Sequence, residues 1–337
     1  MSGPVLTLLA GASETSASPA GASDAPTAAD LELLDVARSV AVRLGASLEA
    51  VWPGGLGDPA LAVLGEHGVA RVHRLATVPR SSTELAGPLC ELVASAGPAA
   101  LLATTSFATR ELAARLGARL GAGVLVDALR LEVADGRIVA ERTSFAASWG
   151  SRCEVLASPA VVTVKPHATV VGETAPRAAA VGPVPQVLDL DPAAPDPRVR
   201  VVERTPRVAT GRPDLATAAT VVVGGRGTEG DFSLVTELAD VLGAAVGATR
   251  VAVDEGWVGH ELQVGQTGVT VNPVLYVGAG VSGAIHHVGG MRAAQMVVAI
   301  NSDPDAPLME LADYAVVGDL TAVLPRLTAR VRELRGR

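Results

Sequence analysis

Short runs of Val, Leu and Ala, set apart by helix-length segments, narrow the folds open to this chain more than anything else in it. In the first half, the runs at residues 5–9, 47–52, 71–74, 99–103 and 160–164 read as strands, with amphipathic stretches such as 31–44 and 109–120 between them. Strand, helix and strand in alternation is the pattern of a parallel sheet covered by helices, whose strands are continuously apolar because both faces are buried. Gly45 and Gly121 follow the two helical stretches, where a left-handed C-cap favours a residue without a Cβ. Asp135-Gly136 between apolar stretches predicts a tight hairpin, so this half also carries antiparallel strand. Residues 11–27, rich in Ala, Ser, Pro and Thr, read as a loop.

From 172 to 206 the composition turns to Pro, Ala and Asp, including Asp191-Pro192-Ala193-Ala194-Pro195-Asp196-Pro197, which reads as linker. The expected organisation is an N-terminal parallel-sheet, nucleotide-binding-like α/β domain (1–171), a linker (172–206) and a doubly wound α/β domain (207–337). Two domains also suit a chain of 337 residues. In the second half, residues 219–223, 250–253, 274–277, 296–300 and 314–317 read as strands and 232–242 as a helix. A ligand crevice in such a domain lies at the carboxyl ends of the strands.

Net charge of −8 and the absence of a basic stripe exclude general nucleic-acid binding, which needs clustered Lys and Arg. Cys90 and Cys153 stand apart, without metal-ligand spacing, and read as unpaired thiols of a reducing compartment. The chain opens without the basic segment of a secretory signal, and no apolar run reaches the about 18 residues of a spanning helix. The expectation is a cytoplasmic protein that is not membrane-embedded.

Unusual residues collect after the second-half strands. Gly225-x-Gly227-x-x-Gly230 matches a dinucleotide fingerprint, with Arg226 suited to an anionic ligand; a bare strand-to-helix turn reads the same way in a chain with 36 glycines. Gly278-Ala279-Gly280-Val281-Ser282-Gly283-Ala284-Ile285-His286-His287 offers small residues, a hydroxyl and two imidazoles. Leu262-Gln263-Val264-Gly265-Gln266-Thr267-Gly268 is a polar loop whose Gln and Thr suit a heteroaromatic ring edge, and Thr249-Arg250 adds a cation for its face.

Together these segments resemble the electron-transfer flavoprotein alpha subunits. The resemblance rests on Leu275-Tyr276-Val277-Gly278 through His286-His287, Gly290-Met291, Ala299-Ile300-Asn301-Ser302-Asp303-Pro304-Asp305-Ala306-Pro307, Val264-Gly265-Gln266-Thr267-Gly268, Gly224-Gly225-Arg226-Gly227, and Ala312-Asp313-Tyr314 through Gly318-Asp319-Leu320. It is looser in the first half, at Leu102-Ala103-Thr104-Thr105, Arg110-Glu111-Leu112-Ala113, Gly121-Ala122-Gly123 and Val126-Asp127. It implies an FAD held by the second domain, with Arg250 against the isoalloxazine, Thr267 near its N5, and Val264, Gly265 and Gln266 in the surrounding loop. His287 would donate near O2, where reduction places negative charge. Ser282, Gly283, Ala284, Ile285 and His286 would line the ribityl and pyrophosphate portion; Arg226, Thr249, Asn301, Asp319 and Leu320 would contact diphosphate, ribose or adenosine.

The resemblance further implies a heterodimer with a beta subunit that usually binds AMP, a flavin-dependent dehydrogenase as electron donor, and a quinone reductase or other acceptor. The chain would be an electron carrier rather than a substrate-converting enzyme. It departs from the family pattern at His286, where Gln is usual, at Val269 in place of a frequent basic residue, and at Thr249 in place of Ser. Two alternatives stand beside it. A nicotinamide-dependent oxidoreductase would use the glycine turn, with Asp254 as the ribose-binding acid about 20 residues on. A flavin-less assembly protein would keep the fold alone.

Overall fold

The computed structural model describes residues 3–10, 25–79, 81–145, 148–171, 183–191, 200, 202–203 and 211–336. The chain divides into two compact units, Met1–Arg142 with Ser151–Ala209, and Thr210–Arg337 with Thr143–Gly150.

In the first unit, strands β1 (Val5–Leu8), β2 (Leu48–Pro53), β3 (Val69–Leu75) and β4 (Ala100–Thr104) alternate with helices α1 (Ala28–Leu44), α2 (Asp58–Glu66), α3 (Ser82–Ala96) and α4 (Phe107–Leu120). Then come β5 (Gly123–Ala134), β6 (Arg137–Ser144), β7 (Trp149–Glu154), β8 (Ala160–Val170) and β9 (Gln186–Leu190). They form one sheet in the order β7-β6-β5-β8-β4-β1-β2-β3-β9. Thr27 and Asp30 close a capping box at the start of α1, and Gly45 ends that helix at φ 63°. Gly121 ends α4 in the same way. Ala134 pairs with Arg137, leaving Asp135 and Gly136 as a two-residue turn with both φ values positive, as the Asp-Gly signal predicts.

Two first-half readings meet the structure differently. Of the expected loop 11–27, residues 11–24 lie outside the described residues. Much of the expected linker also lies outside them, but inside that stretch Gln186–Leu190 forms β9, paired in parallel with β3. Arg74 and Asp189 fasten this edge through a two-pronged ion pair at 2.7 and 3.1 Å.

The second unit is a five-stranded, all-parallel sheet of β10 (Thr220–Gly224), β11 (Ala245–Ala248), β12 (Leu275–Ala279), β13 (Met296–Asn301) and β14 (Tyr314–Val317), in the order β11-β10-β12-β13-β14. Helices α5 (Ser233–Leu242), α6 (Arg250–Asp254), α7 (Ile285–Met291), α8 (Pro307–Leu311) and α9 (Leu320–Arg335) connect and cover it. Val221 and Val223 of β10 enter one core with Val264, Tyr276, Met291 and Leu308, while Val222 enters the opposite core with Leu238, Ile300 and Leu324. This two-sided burial is why the strand reads as an unbroken apolar run.

The expected strand at 250–253 is corrected. Those residues form α6, and the strand beside β10 is the shorter Ala245–Ala248. Gly247 weakened the strand signal, although Gly is required there because a Cβ would lie 2.8 Å from the Val264 side chain. Because β11 and β12 flank β10 on opposite sides, the crevice of this unit opens at the carboxyl ends of β10 and its neighbours.

Candidate functional site

Parallel topology brings the candidate residues to one rim. Arg226 follows β10, Thr249 and Arg250 follow β11, residues 282–287 follow β12, Asn301 ends β13, and Asp319 and Leu320 follow β14. The loop containing Val264, Gly265, Gln266 and Thr267 joins them through two backbone bonds. The Val264 N–H donates to the Ala248 carbonyl at 2.9 Å, and the Gln266 N–H donates to the His286 carbonyl at 2.8 Å. β11 and β14 are the two edge strands of this sheet, four inter-strand steps of about 4.8 Å apart, so Arg250 and Asp319 follow opposite edges of the rim and suit opposite ends of a long ligand.

Arg226, Arg250, Gln266, Thr267, Ser282, Ala284, Ile285, His286 and Asp319 are exposed, while Thr249, Val264, Gly265, Gly283, His287 and Leu320 are buried. Arg250 rests on Asp254 at 3.1 Å, an exposed i,i+4 pair. Thr267 receives a hydrogen bond from the Gln263 amide at 3.0 Å. The Thr249 N–H closes the rim by donating to the Gly224 carbonyl, and its hydroxyl oxygen is buried without a hydrogen-bond partner among the described residues. An unsatisfied buried hydroxyl is costly and marks a position a ligand can complete.

Two expected ligand contacts have their side chains committed within the protein. Asn301 donates its amide to the Val281 carbonyl at 3.0 Å and accepts from the Asp303 N–H at 3.1 Å, so it shapes the β12 and β13 loops. Asp319 caps α9, accepting from the Thr321 N–H and hydroxyl at 2.8 Å each. These bonds to Thr321 hold the Asp319 carboxyl below its ordinary pKa.

His287 departs most from its expected role as a hydrogen-bond donor to the ring. It is 6% exposed, and both ring nitrogens are engaged by protein: Nδ1 lies 3.0 Å from the Val264 carbonyl and Nε2 2.7 Å from the Tyr276 hydroxyl. Burial lowers its pKa to about 4, against the opposing pull of the Val264 carbonyl, so the ring is neutral near pH 7. A neutral ring bonded in this way has no N–H left for a ligand. His286, the residue before it, is exposed instead.

The glycine turn also differs from the dinucleotide reading. The Gly225 and Gly227 N–H groups donate to the Ala279 and Gly280 carbonyls at 3.0 and 3.1 Å, and a Cβ at either glycine would strike the Gly280 backbone. Gly230 faces Trp257 at 3.3 Å. These glycines let two strand-end loops pack together, and a single 3-10 turn, Arg226–Thr228, replaces the expected helix N-terminus. Asp254 lies at the end of α6, not at the tip of β11, and pairs with Arg250. The ribose-binding arrangement of a nicotinamide site is therefore missing from this turn.

Residues 214–292 match the model of the electron transfer flavoprotein FAD-binding domain, and residues 20–191 match that of the electron transfer flavoprotein domain. The chain is 42% identical over 238 residues to an electron transfer flavoprotein subunit alpha of Syntrophomonas wolfei subsp. wolfei, covering 70% of this chain and 73% of that protein. It is 40% identical over 256 residues to the subunit alpha of Mycobacterium leprae, covering 75% and 78%. Protein FixB of Clostridium saccharobutylicum is 35% identical over 319 residues, covering 90% and 92%. The chain belongs to the electron transfer flavoprotein alpha family.

Membership makes the second unit the FAD-binding unit and electron transfer the chain's function. The rim fits that cofactor: exposed Arg226 and Arg250 suit phosphate and ring, the Thr249 hydroxyl lacks a hydrogen-bond partner among the described residues, and the row of loops runs past all five strands, as an extended dinucleotide needs. FAD itself supplies the redox chemistry. Among the described residues, no group of three or more His, Cys, Asp or Glu is set to hold a metal ion, and no helix is long and apolar enough to cross a membrane. Sequence reasoning read the Gln residues of this loop as ring-edge contacts and did not single out Gln263 as the buried brace of Thr267, or Tyr276 as the partner of His287. Gln263 sits in the flagged loop, but Tyr276 lies within an apolar strand and shows no local sign of its distant partner.

Proposed function

We propose that this chain works in the cytoplasm as the FAD-carrying half of a heterodimer with an electron transfer flavoprotein beta subunit. It takes electrons from a flavin-dependent dehydrogenase and passes them to a quinone reductase or another acceptor. Arg250 and the loop of Val264, Gly265, Gln266 and Thr267 hold the isoalloxazine end. Ser282, Gly283, Ala284, Ile285 and His286 line the middle of the cofactor, with Arg226 and Thr249 beside its phosphates. Leu320 and the loops shaped by Asn301 and Asp319 border the adenosine end. Pairing with a beta subunit rests on family membership, and the two free thiols, Cys90 and Cys153, suit a reducing compartment.

The observation that best supports these assignments is the continuous rim of exposed polar groups around the partnerless Thr249 hydroxyl. The test is the visible spectrum of this chain co-purified with its beta subunit. A flavin spectrum that bleaches with dithionite, and also with a flavin-dependent dehydrogenase and its substrate, is the expected result. A colourless complex that cannot be reconstituted with FAD would overturn the reading. Bleaching by dithionite alone would remove the tested dehydrogenase as donor.

A further inference from the structure

Tyr276 is fully buried in the core of the second unit, where a hydroxyl needs a partner. Its hydroxyl lies 2.7 Å from Nε2 of His287, and the two rings meet edge-on with centroids 6.2 Å apart. On the other side of the imidazole, Nδ1 lies 3.0 Å from the Val264 carbonyl. A carbonyl only accepts, so Nδ1 carries the proton; Nε2 of the neutral ring then accepts from the tyrosine hydroxyl. Every polar atom in this chain of contacts is satisfied, and no charge is buried.

These contacts meet the loop at its root. The Val264 N–H is tied to Ala248, the Gln266 N–H to the His286 carbonyl, and the Val271 N–H to the Gly290 carbonyl. Gly265 and Gly290 pack backbone to backbone, too closely for a Cβ on Gly290. α7 and the loop therefore form one assembly, and the His287 ring is its only side-chain link to the Tyr276 hydroxyl among the described residues. Gln266 and Thr267, exposed at the end of this assembly, depend on its position.

We propose that Tyr276 is a positioning residue for the flavin site: its buried hydroxyl holds the His287 ring as the Nδ1–H tautomer, and that ring holds Val264 and the loop carrying Gln266 and Thr267. The inference rests on the FAD-site assignments above. It makes β12 a structural determinant of cofactor affinity although Tyr276 does not line the rim. It also gives His287 a supporting role in place of direct donation to the ring.

The test uses the full chain with its beta subunit, labelled with 15N histidine, as wild type and as Tyr276→Phe. In the wild type, before and after FAD is added, His287 is expected to show a protonated Nδ1 and an unprotonated, hydrogen-bonded Nε2. Tyr276→Phe preserves ring volume and is expected to move the Nε2 resonance towards that of a free acceptor. It should also weaken FAD binding roughly threefold to tenfold, the size of one net hydrogen bond. An unchanged His287 spectrum together with unchanged FAD affinity would overturn the proposal. So would weaker binding with His287 unmoved, because the defect would then be one of general packing.

If Tyr276→Phe fails to fold, 3-fluorotyrosine replaces it; the chain has only two tyrosines, and the more acidic phenol should shift Nε2 in the opposite direction. No shift would sink the idea. If the wild-type complex binds no FAD, the flavin-site reading fails, while the histidine spectrum still shows whether Tyr276 controls the imidazole.

Discussion

In the first unit Arg110, on the helix after β4, closes a two-pronged ion pair with Asp127 at 2.8 and 3.0 Å. In the second, Arg226 follows β10 at the corresponding strand end and stands exposed, without an ion pair among the described residues. The contrast extends to neighbouring groups. Glu32 meets His167 at 3.0 Å and Thr105 meets Thr163 at 3.0 Å in the first unit, while Gln266, Ser282 and His286 face solvent in the second. Parallel sheets present their carboxyl ends alike, but a rim is open to a ligand only where its polar groups are not already matched to one another.

The sharpest way to break this comparison is to disrupt a matched polar cluster in the first unit. Glu49 and His73 are both buried and lie 2.7 Å apart, with Arg71 3.1 Å from the other carboxylate oxygen. Removing one partner leaves the other buried alone, so Glu49→Ala should destabilise the first unit by about 3 kcal/mol. Amide exchange in β1, β2 and β3 should accelerate while the flavin spectrum and FAD affinity persist. Loss of FAD at unchanged β1–β3 protection would show that the cluster serves the cofactor rather than the unit's core.

Much of this contrast was legible in the sequence. The alternation of apolar runs and helical stretches identified two α/β regions, and Gly45, Gly121 and Asp135-Gly136 marked element ends because their backbone conformations restrict residue choice. β11 was harder to find, since Ala-Val-Gly-Ala has little of the β-branched character of Val221, Val222 and Val223. β9 was hidden by the prolines around it. The rim residues were legible as motifs, but spacing could not reveal which side chains the fold had already engaged. Asn301 and Asp319 are committed to local loops, and His287 is committed to groups 11 and 23 positions away. Likewise, a Gly-x-Gly spacing is the same whether a ligand or another backbone approaches.

Acid separates the units at the next level of effect. Burial pushes the Glu49 carboxyl up, but the hydrogen bond from His73 and the charges of His73 and Arg71 hold it below its ordinary range. Its stabilising contribution is present above its ordinary value of 4.5 and lost as pH falls through the lower folded value. His287 is lowered from 6.5 to about 4, so the unfolded chain takes up this proton first. Its neutral-state contribution is complete above pH 6.5 and declines down to pH 4, by roughly 3 kcal/mol at most. Exchange protection at Val264 and Gln266 should therefore fall at milder acidity than protection in β2. Simultaneous loss would mean that the Tyr276–His287 contact does not govern the loop's stability.

The smallest expected effect probes the open rim most directly, because it should have opposite signs in the free and FAD-bound protein. Thr249→Val keeps the side chain's size and branching while replacing the buried hydroxyl that lacks a partner. Without FAD, removing that unsatisfied oxygen should stabilise the second unit by about 1 kcal/mol. With FAD, the same change should remove a contact and weaken affinity by roughly fivefold, equivalent to about 1 kcal/mol. Thermal unfolding of the free chain and FAD titration of the heterodimer measure the two terms separately. Stabilisation with unchanged affinity would place the hydroxyl outside the cofactor's reach. Destabilisation of the free chain would mean that the oxygen has a protein or water partner and that the local rim is already matched, as it is in the first unit.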